Sequence, residues 1–407
     1  MKTHERFLRY VETDTTSNPH SHTHPSSKSQ LLFAKQLAKE LKELKLSNVT
    51  LTDKGYVYGT ITKNTNEEFD SIAFIAHMDT SNDFSGANIK PRIIENYDGG
   101  DVILNEKLNI IMSSNEFPFL KNLKGESLIV TDGTTLLGAD DKAGIAEIMS
   151  MIEHLNNHPE IKHGEIKICF TPDEEIGEGP LFFDNDYFNV DYAYTVDGGE
   201  HNVINYENFN AASAIVTING INIHPGSAKG HMINSISVAN EFDSLLPKNQ
   251  RPELTENYEG FNHLNEIKGN VEKTTMYYII RNHSYDLFEK QKLDFINIKS
   301  TLNKKYKKEI ISLDIKNSYF NMYESIKNNM RCIEVASSAI NKSGSIPKYV
   351  PIRGGTDGAQ ISLMGIPCPN IGTGGHNCHG KYECITIEEM KRCVNVLINI
   401  VQEAKKL

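Results

Sequence analysis

The most informative stretch of the sequence reads Thr171-Pro172-Asp173-Glu174-Glu175-Ile176-Gly177, and it directly follows an apolar run at 166–170. Such a run predicts a buried strand, and the ends of strands are where α/β sheets collect ligands and catalytic groups. Of two adjacent carboxylates at a strand end, one can bind a metal while the other takes a proton from water. A lone acidic run is more often a surface loop, so the interpretation depends on the other strand ends.

A second apolar run, at 71–76, predicts an interior parallel strand and ends in His77-Met78-Asp79. In an extended chain His77 and Asp79 point to the same side. A carboxylate commonly holds the second ring nitrogen of a metal-binding histidine. His77 is therefore a candidate ligand with Asp79 behind it, and a surface histidine near a turn is an equally good interpretation of this segment alone.

Two more acids stand where apolar runs end. Asp140 precedes a helix with apolar residues on one face, and Asp197 leaves the apolar run 192–196. Asp140 could instead cap the helix, although the doubled Asp140-Asp141 allows one residue to cap and the other to bind. Asp197 could simply open a turn. Together, one histidine and three acids at different strand ends suit a metal such as zinc.

The second half of the chain changes character twice. From about 208 to 320, alternating apolar residues predict antiparallel strands beside a helix at 284–306, typical of a smaller inserted α+β domain. After residue 321 the pattern returns to helices and buried strands. A glycine-rich turn with Arg353 favours an anion, and either His376 or His379 could be a late metal ligand.

Composition limits the possible functions. The 407 residues are enough for two domains, 39% are hydrophobic and 23% charged, and the net charge is -11. That charge argues against a general affinity for nucleic acid or anionic membranes. No apolar run approaches the roughly 20 residues of a membrane span, the N-terminus lacks an apolar signal core, and the six cysteines form no C-x-x-C pair. We therefore expect a cytoplasmic protein.

Two local segments carry further expectations. The run His20-Ser21-His22-Thr23-His24 could bind a transition metal, but a mobile polar loop is favoured because no acidic or thiol partner lies nearby in the sequence. Asp98-Gly99-Gly100-Asp101, between alternating apolar positions, predicts a hairpin.

Taken together, the motifs resemble the co-catalytic zinc peptidases that include carboxypeptidase G. The resemblance covers nearly the whole chain and rests on segments that occur in the family's order: 75–80, 137–144, 170–177, 196–199, 351–358 and 379–381. It implies an α/β fold: a catalytic domain formed by 1–207 and 321–407, with a mixed central sheet flanked by helices. Residues 208–320 would form an inserted α+β domain of the lid or dimerisation type.

The resemblance also implies roles for individual residues. His77 and Asp197 would bind one zinc ion, Glu175 and His379 the other, and Asp140 would bridge both. Glu174 would be the general base, Asp79 would orient His77, and the Asp140–Asp141 peptide bond would be cis. The resemblance further implies that His224, Asn234, Arg281 and Arg353 contact the substrate.

The activity implied is that of a zinc-dependent aminopeptidase that releases the N-terminal residue of tripeptides, with Glu174 taking a proton from metal-activated water. The same pair of metals could instead serve a dipeptidase or an N-acyl-amino-acid deacylase. An inactive binding protein on this fold is disfavoured because every matching position holds a competent residue. We expect small peptides as partners, neither nucleic acid nor membranes, and leave a homodimer open.

Overall fold

The computed structural model describes residues 1–406, and all structural statements below concern that part of the chain. The helices are α1 Thr3–Val11, α2 Lys28–Glu43, α3 Ala139–Asn157, α4 Ser235–Leu245, α5 Tyr285–Tyr306, α6 Tyr323–Ile326, α7 Arg331–Lys342, α8 Asp357–Leu363 and α9 Ile387–Glu403. The strands are β1 Ser47–Leu51, β2 Val57–Ile61, β3 Ile72–His77, β4 Arg92–Ile94, β5 Val102–Asn105, β6 Ile110–Met112, β7 Leu128–Val130, β8 Ile166–Thr171, β9 Tyr192–Val196, β10 Val203–Asn205, β11 Asn210–Asn219, β12 Phe261–Gly269, β13 Lys273–Asn282, β14 Ile311–Tyr319, β15 Lys348–Tyr349, β16 Asn370–Ile371 and β17 Ile385–Thr386.

The chain divides into two compact units. The larger contains Met1–Tyr206, Glu324–Val350 and the residues from Thr356 on, and the smaller contains Glu207–Tyr323 and Pro351–Gly355. The short segment 351–355 thus groups with the smaller unit and carries Arg353 with it.

The larger unit is built on a mixed sheet with the strand order β1-β2-β8-β3-β9-β16-β10-β15. At its centre β3 lies between β8 and β9 and runs parallel to both. All residues of β3 and β9 are buried, as expected of parallel strands covered on both faces. Helix α3 packs against β3 and β9 and against α1 and α9. The α/β class with a mixed central sheet is confirmed.

The smaller unit is an antiparallel sheet with the order β12-β13-β11-β14, against which α4 and α5 pack. Its core follows directly from the alternation in β11, where Ala212, Ala214, Val216 and Ile218 are buried among side chains of the two helices. The unit therefore has a hydrophobic core of its own.

The predicted hairpin around Asp98-Gly99-Gly100-Asp101 is wrong. The segment does turn, with the Gly100 amide donating to the Asp98 carboxylate at 2.8 Å, but the flanking strands do not pair with each other. Instead β4 pairs with β7, while β5 forms its hairpin with β6. The glycine and aspartate residues determine the bend, whereas the partner of β4 comes from a more distant part of the sequence.

Among residues 1–406, no helix combines the length and the apolar character needed to cross a membrane.

Candidate metal centre

The candidate site forms where three parallel strands end. His77 is the last residue of β3, Glu174 and Glu175 follow β8, and Asp197 follows β9. Because β3 lies between the other two and runs parallel to both, the three carboxyl ends meet at one edge of the sheet. Asp140 and His379 reach this edge from outside the three strands.

The first of two ligand groups, the inner group, consists of His77, Asp140 and Asp197. His77 Nε2 lies 2.9 Å from Asp140 Oδ1 and 3.9 Å from Asp197 Oδ1. The outer group consists of Asp140, Glu175 and His379. His379 Nε2 lies 3.2 Å from Asp140 Oδ2 and 3.0 Å from Glu175 Oε2. Asp140 thus presents one carboxylate oxygen to each group.

Asp79 connects the inner histidine to the acidic loop. The Nδ1 atom of His77 lies 3.1 Å from the Asp79 carbonyl oxygen and 3.4 Å from its carboxylate. The same carboxylate accepts the backbone N–H groups of Glu174 and Glu175, at 3.0 and 3.1 Å. Such a partner fixes the orientation of a ligating imidazole. The buried Asp79 therefore positions both strand ends at once.

The sequence allowed one residue of Asp140-Asp141 to cap helix α3 and the other to bind metal, but neither side chain caps the helix. Helix α3 has Gly138 at its N-cap, and no side chain caps it. Asp141 instead accepts the backbone N–H of His77 at 3.1 Å, so both aspartates serve the site. The peptide bond between Asp140 and Asp141 is cis.

The electrostatics show how crowded the carboxylates are. Burial, reinforced by Asp140, raises the pKa of Glu175 and of Asp197 to about 7. Burial also raises the pKa of Glu174 well above its usual range, and the neighbouring Asp357 and Asp197 add to the effect. Asp140 behaves differently: burial opposes its ionisation, but hydrogen bonds from His379 and His77 hold its pKa below the usual range. Cations would compensate this concentration of negative charge.

Two functional candidates went unnoticed in the sequence. Glu383 is buried and accepts three backbone N–H groups, from Leu137, Gly138 and Asp140, at 2.6, 2.8 and 3.0 Å. It therefore holds the turn that presents Asp140, and burial raises its pKa to about 7. An acid four residues after His379, next to the apolar Cys384-Ile385, is the signal that could have identified it.

The second unnoticed residue is Asp357, the first residue of α8. Its carboxylate is buried and accepts the Thr171 hydroxyl at 2.8 Å, and burial raises its pKa to about 7. A Cβ atom on Gly179 would come within 2.0 Å of this carboxylate. Asp357 therefore lies directly against the loop that carries Glu174, and its position in the glycine-rich motif 353–358 was the available signal.

Of the two late histidines, only His379 joins the ligand groups. His376 stacks on Phe119 with ring centroids 4.4 Å apart, and its backbone pairs with Cys384. Burial lowers the pKa of its imidazole. His376 therefore has a packing role.

The predicted substrate contacts all belong to the smaller unit. The exposed His224 accepts the Gly226 N–H at 3.2 Å, and Asn234 caps α4 by accepting the Ile236 N–H at 2.9 Å. Arg281 donates to the Ile280 carbonyl at 2.9 Å. Arg353 donates to the carbonyls of Asn257 and Glu259 at 2.8 and 2.9 Å.

With this geometry in view, the comparisons with known proteins identify the class. The profile of peptidase family M20/M25/M40 matches residues 131–403. The chain belongs to this family and is a peptidase, as the motifs predicted.

The particular relatives are peptidases T. The chain is 55% identical over 398 residues to peptidase T of Caldanaerobacter subterraneus subsp. tengcongensis, which covers 98% of this chain and 97% of the relative. It is 52% identical to peptidase T of Clostridium novyi, with 98% of each chain covered. The fold is similar to that of the aminopeptidase PepT from Bacillus cereus, with a TM-score of 0.79 at 23% identity over 100% of this chain and 98% of that one. A dinuclear metal-binding M20 peptidase from Bacillus subtilis gives a TM-score of 0.65 at 15% identity, covering 98% and 96%.

Proposed function

We propose that this peptidase is a tripeptide aminopeptidase that uses two zinc ions, one in the inner group and one in the outer group. The observation that carries the proposal is the placement of Asp140, whose two carboxylate oxygens face His77 and His379 separately. The relatives named peptidase T support the substrate class.

The residues present fit a pair of such ions. Two imidazoles and three carboxylates are the donors that zinc binds in proteins. Within residues 1–406, the buried Oε1 atom of Glu175 has no hydrogen-bond partner, so this oxygen is available for a ligand. When bound, the ions supply Lewis acidity toward a peptide carbonyl and toward water.

Glu174 is the proposed general base. It follows β8 next to Glu175 but belongs to neither ligand group among the described residues. Its backbone is fixed by the Asp79 carboxylate at 3.0 Å. Because burial raises the pKa of its carboxyl group, Glu174 can accept a proton from the attacking water and return it to the leaving amine.

We propose two roles for the smaller unit. It would act as a lid that recognises the substrate, and it would provide the surface through which two copies of the chain pair. His224 would add a donor near the developing oxyanion, and Arg281 or Arg353 would bind a peptide carboxylate. His224→Ala should then lower kcat without changing metal content, whereas an unchanged kcat would return this exposed histidine to a structural role.

A hydrolysis panel tests the substrate class. Di-, tri- and tetrapeptides and N-acetyl amino acids would be compared at equal concentration, with and without a chelator. We expect tripeptides to be cleaved with the highest kcat/KM and the chelator to abolish cleavage. A higher kcat/KM for dipeptides or N-acetyl substrates would replace the proposal with the dipeptidase or deacylase alternative.

The base is tested by Glu174→Ala. We expect turnover to fall by about 100-fold to 10,000-fold while the bound metal stays at the wild-type level. Glu175→Gln is the matched control on the neighbouring carboxylate, and it should lose metal as well as activity. Retained activity in Glu174→Ala would remove this residue from the role of base.

The cysteines bear on location. All six are free among the described residues, and five of them are buried. Free thiols are the usual state in a reducing compartment, which supports our proposal of a cytoplasmic location.

A further inference from the structure

The side chain of His24, in the histidine-rich segment expected to be a mobile polar loop, is buried. It is only 6% exposed. The ring stacks on Tyr56, with centroids 5.7 Å apart and an interplanar angle of 18°, and meets Phe182 edge-on at 5.0 Å. Within residues 1–406, neither ring nitrogen has a hydrogen-bond partner. Buried polar groups normally have one, because leaving them unpaired costs free energy.

Two acids face the Nδ1 atom of this ring. Asp173 Oδ2 lies 3.3 Å away and Glu178 Oε2 lies 3.7 Å away. Although Asp173 is within reach, the two atoms do not have hydrogen-bond geometry. The separation of 3.3 Å instead matches a shared cation, because ligand atoms at about 2.0–2.2 Å from a tetrahedral ion lie about 3.3–3.6 Å from one another. The 3.7 Å to the partly exposed Glu178 lies just above this range. The missing acidic partners of the histidine run are thus supplied by a distant part of the chain.

Asp173 is already held in the orientation of a ligand. Its Oδ1 accepts the Ser26 hydroxyl at 2.5 Å and the Gln30 amide at 2.7 Å, and its Oδ2 accepts the Ser26 backbone N–H at 2.6 Å. A carboxylate has about four acceptor positions. The remaining one belongs to Oδ2, the atom that faces His24. Partners of this kind orient ligating carboxylates in metal sites.

We propose that His24, Asp173 and Glu178 bind a third divalent cation, with Zn²⁺ as the ion that suits one imidazole and two carboxylates best. These residues share no member with the inner or outer group, so the proposal stands independently of the catalytic pair. The partly exposed side of Glu178 leaves room for water to complete the coordination.

The position of the site gives it a structural role. Asp173 directly precedes Glu174, and the Glu178 backbone N–H donates to the Asp173 carbonyl at 3.0 Å. An ion on these side chains joins the loop that carries Glu174 to the segment around His24. The ion would therefore hold this loop in place without touching the substrate.

The test counts bound zinc. Wild type, His24→Ala and His22→Ala would be equilibrated in the same zinc buffer and measured by mass spectrometry of the metal content. His22 is the matched control because it is an exposed histidine in the same segment. We expect the wild type and His22→Ala each to hold one more zinc ion per chain than His24→Ala.

Glu178→Gln provides a second variant that should fold normally, because its side chain is 48% exposed. It should weaken binding of the extra ion at least tenfold and leave the other ions in place. Equal zinc content in wild type and His24→Ala, or wild-type affinity in Glu178→Gln, overturns the proposal. Glu175→Gln distinguishes loss of the ion at His24 from loss of an ion of the catalytic pair. This variant should lose the outer ion and keep the ion at His24.

Discussion

The inner and outer groups of the candidate metal centre contain similar residue types but differ in burial. The inner His77 side chain is 3% exposed, whereas the outer His379 side chain is 41% exposed. The two groups share Asp140, so the difference must come from the surroundings. Strand β3 carries His77 into the core of the larger unit, while His379 follows the turn after β16, at the surface.

The supporting contacts differ in the same direction. His77 Nδ1 faces Asp79, which is fully buried, and the His77 backbone is held by Asp141. His379 Nδ1 faces Asp83 at 3.4 Å, but the Asp83 side chain is 68% exposed. Solvent screens such a surface pair, which typically contributes about 0–1 kcal/mol. The inner group is therefore preorganised for its ion, and the outer group is expected to bind more weakly.

The largest effect is expected at the residue that both groups share. Asp140→Ala removes one ligand from each ion of the pair, so both of these ions should be lost, leaving the ion proposed at His24, and activity should fall by more than about 100-fold. Metal analysis and the tripeptide assay measure both. Asp53→Ala, an exposed aspartate between β1 and β2, is the control and should behave as wild type. If Asp140→Ala kept one full equivalent of metal beyond the ion proposed at His24, the inner and outer groups would not share this residue.

The two histidines should then separate the groups. His379→Ala should lose the outer ion and keep the inner one, because the inner ligands and Asp79 are untouched. His77→Ala should release the inner ion and also weaken the outer one, because Asp140 loses the inner ion that would hold its Oδ1 atom, the atom 2.9 Å from His77 Nε2. Metal content per chain at increasing chelator concentration distinguishes the variants. Identical release curves would show that the two groups bind their ions with equal affinity despite their different burial.

The sequence could indicate which residues meet at the candidate site because the strand ends have local signals. His77 and Asp197 directly follow apolar runs, and Glu175 lies four residues beyond the end of β8. The buried parallel strands make those ends converge. The bridging of the two groups has no local signal. Asp140 and His379 are 239 residues apart, and only the resemblance to a family related them.

The residues that escaped prediction all have distant or backbone partners. Glu383 binds backbone N–H groups, which any sequence could supply, and Asp357 binds a single threonine. His24 was expected in a mobile loop because its acidic partners follow β8, far along the chain. In each case tertiary packing, rather than local pattern, determines the role.

A smaller effect should follow from the two supporting aspartates. Asp79→Asn removes the charge behind His77 and one of the acceptors for the Glu174 and Glu175 amides, so zinc affinity of the inner group should fall by about 10-fold to 100-fold. Asp83→Asn is the matched change behind His379 and should alter outer affinity by no more than about fivefold. Competition with a zinc-binding dye measures both. Equal losses would mean that the exposed aspartate supports its histidine as strongly as the buried one.

The smallest effect concerns the stability of the metal-free protein. The pKa of Glu175 and of Asp197 is raised to about 7 by burial, and that of His379 to about 11 by its carboxylate partners. Between pH 5 and 8 the folded state therefore binds more protons at these groups than the unfolded state does. The free energy of unfolding must then fall as pH rises, by up to about 3 kcal/mol for each of the two carboxyl groups and by less for the partly exposed His379. Thermal melts after chelation, at pH 5 to 8, measure this slope.

Adding zinc should reduce the slope, because the ions compensate the ionised carboxylates, and Glu175→Gln should reduce it in the metal-free protein. A stability that rises with pH in the wild type would mean that the carboxylates of the inner and outer groups are not crowded in the folded state.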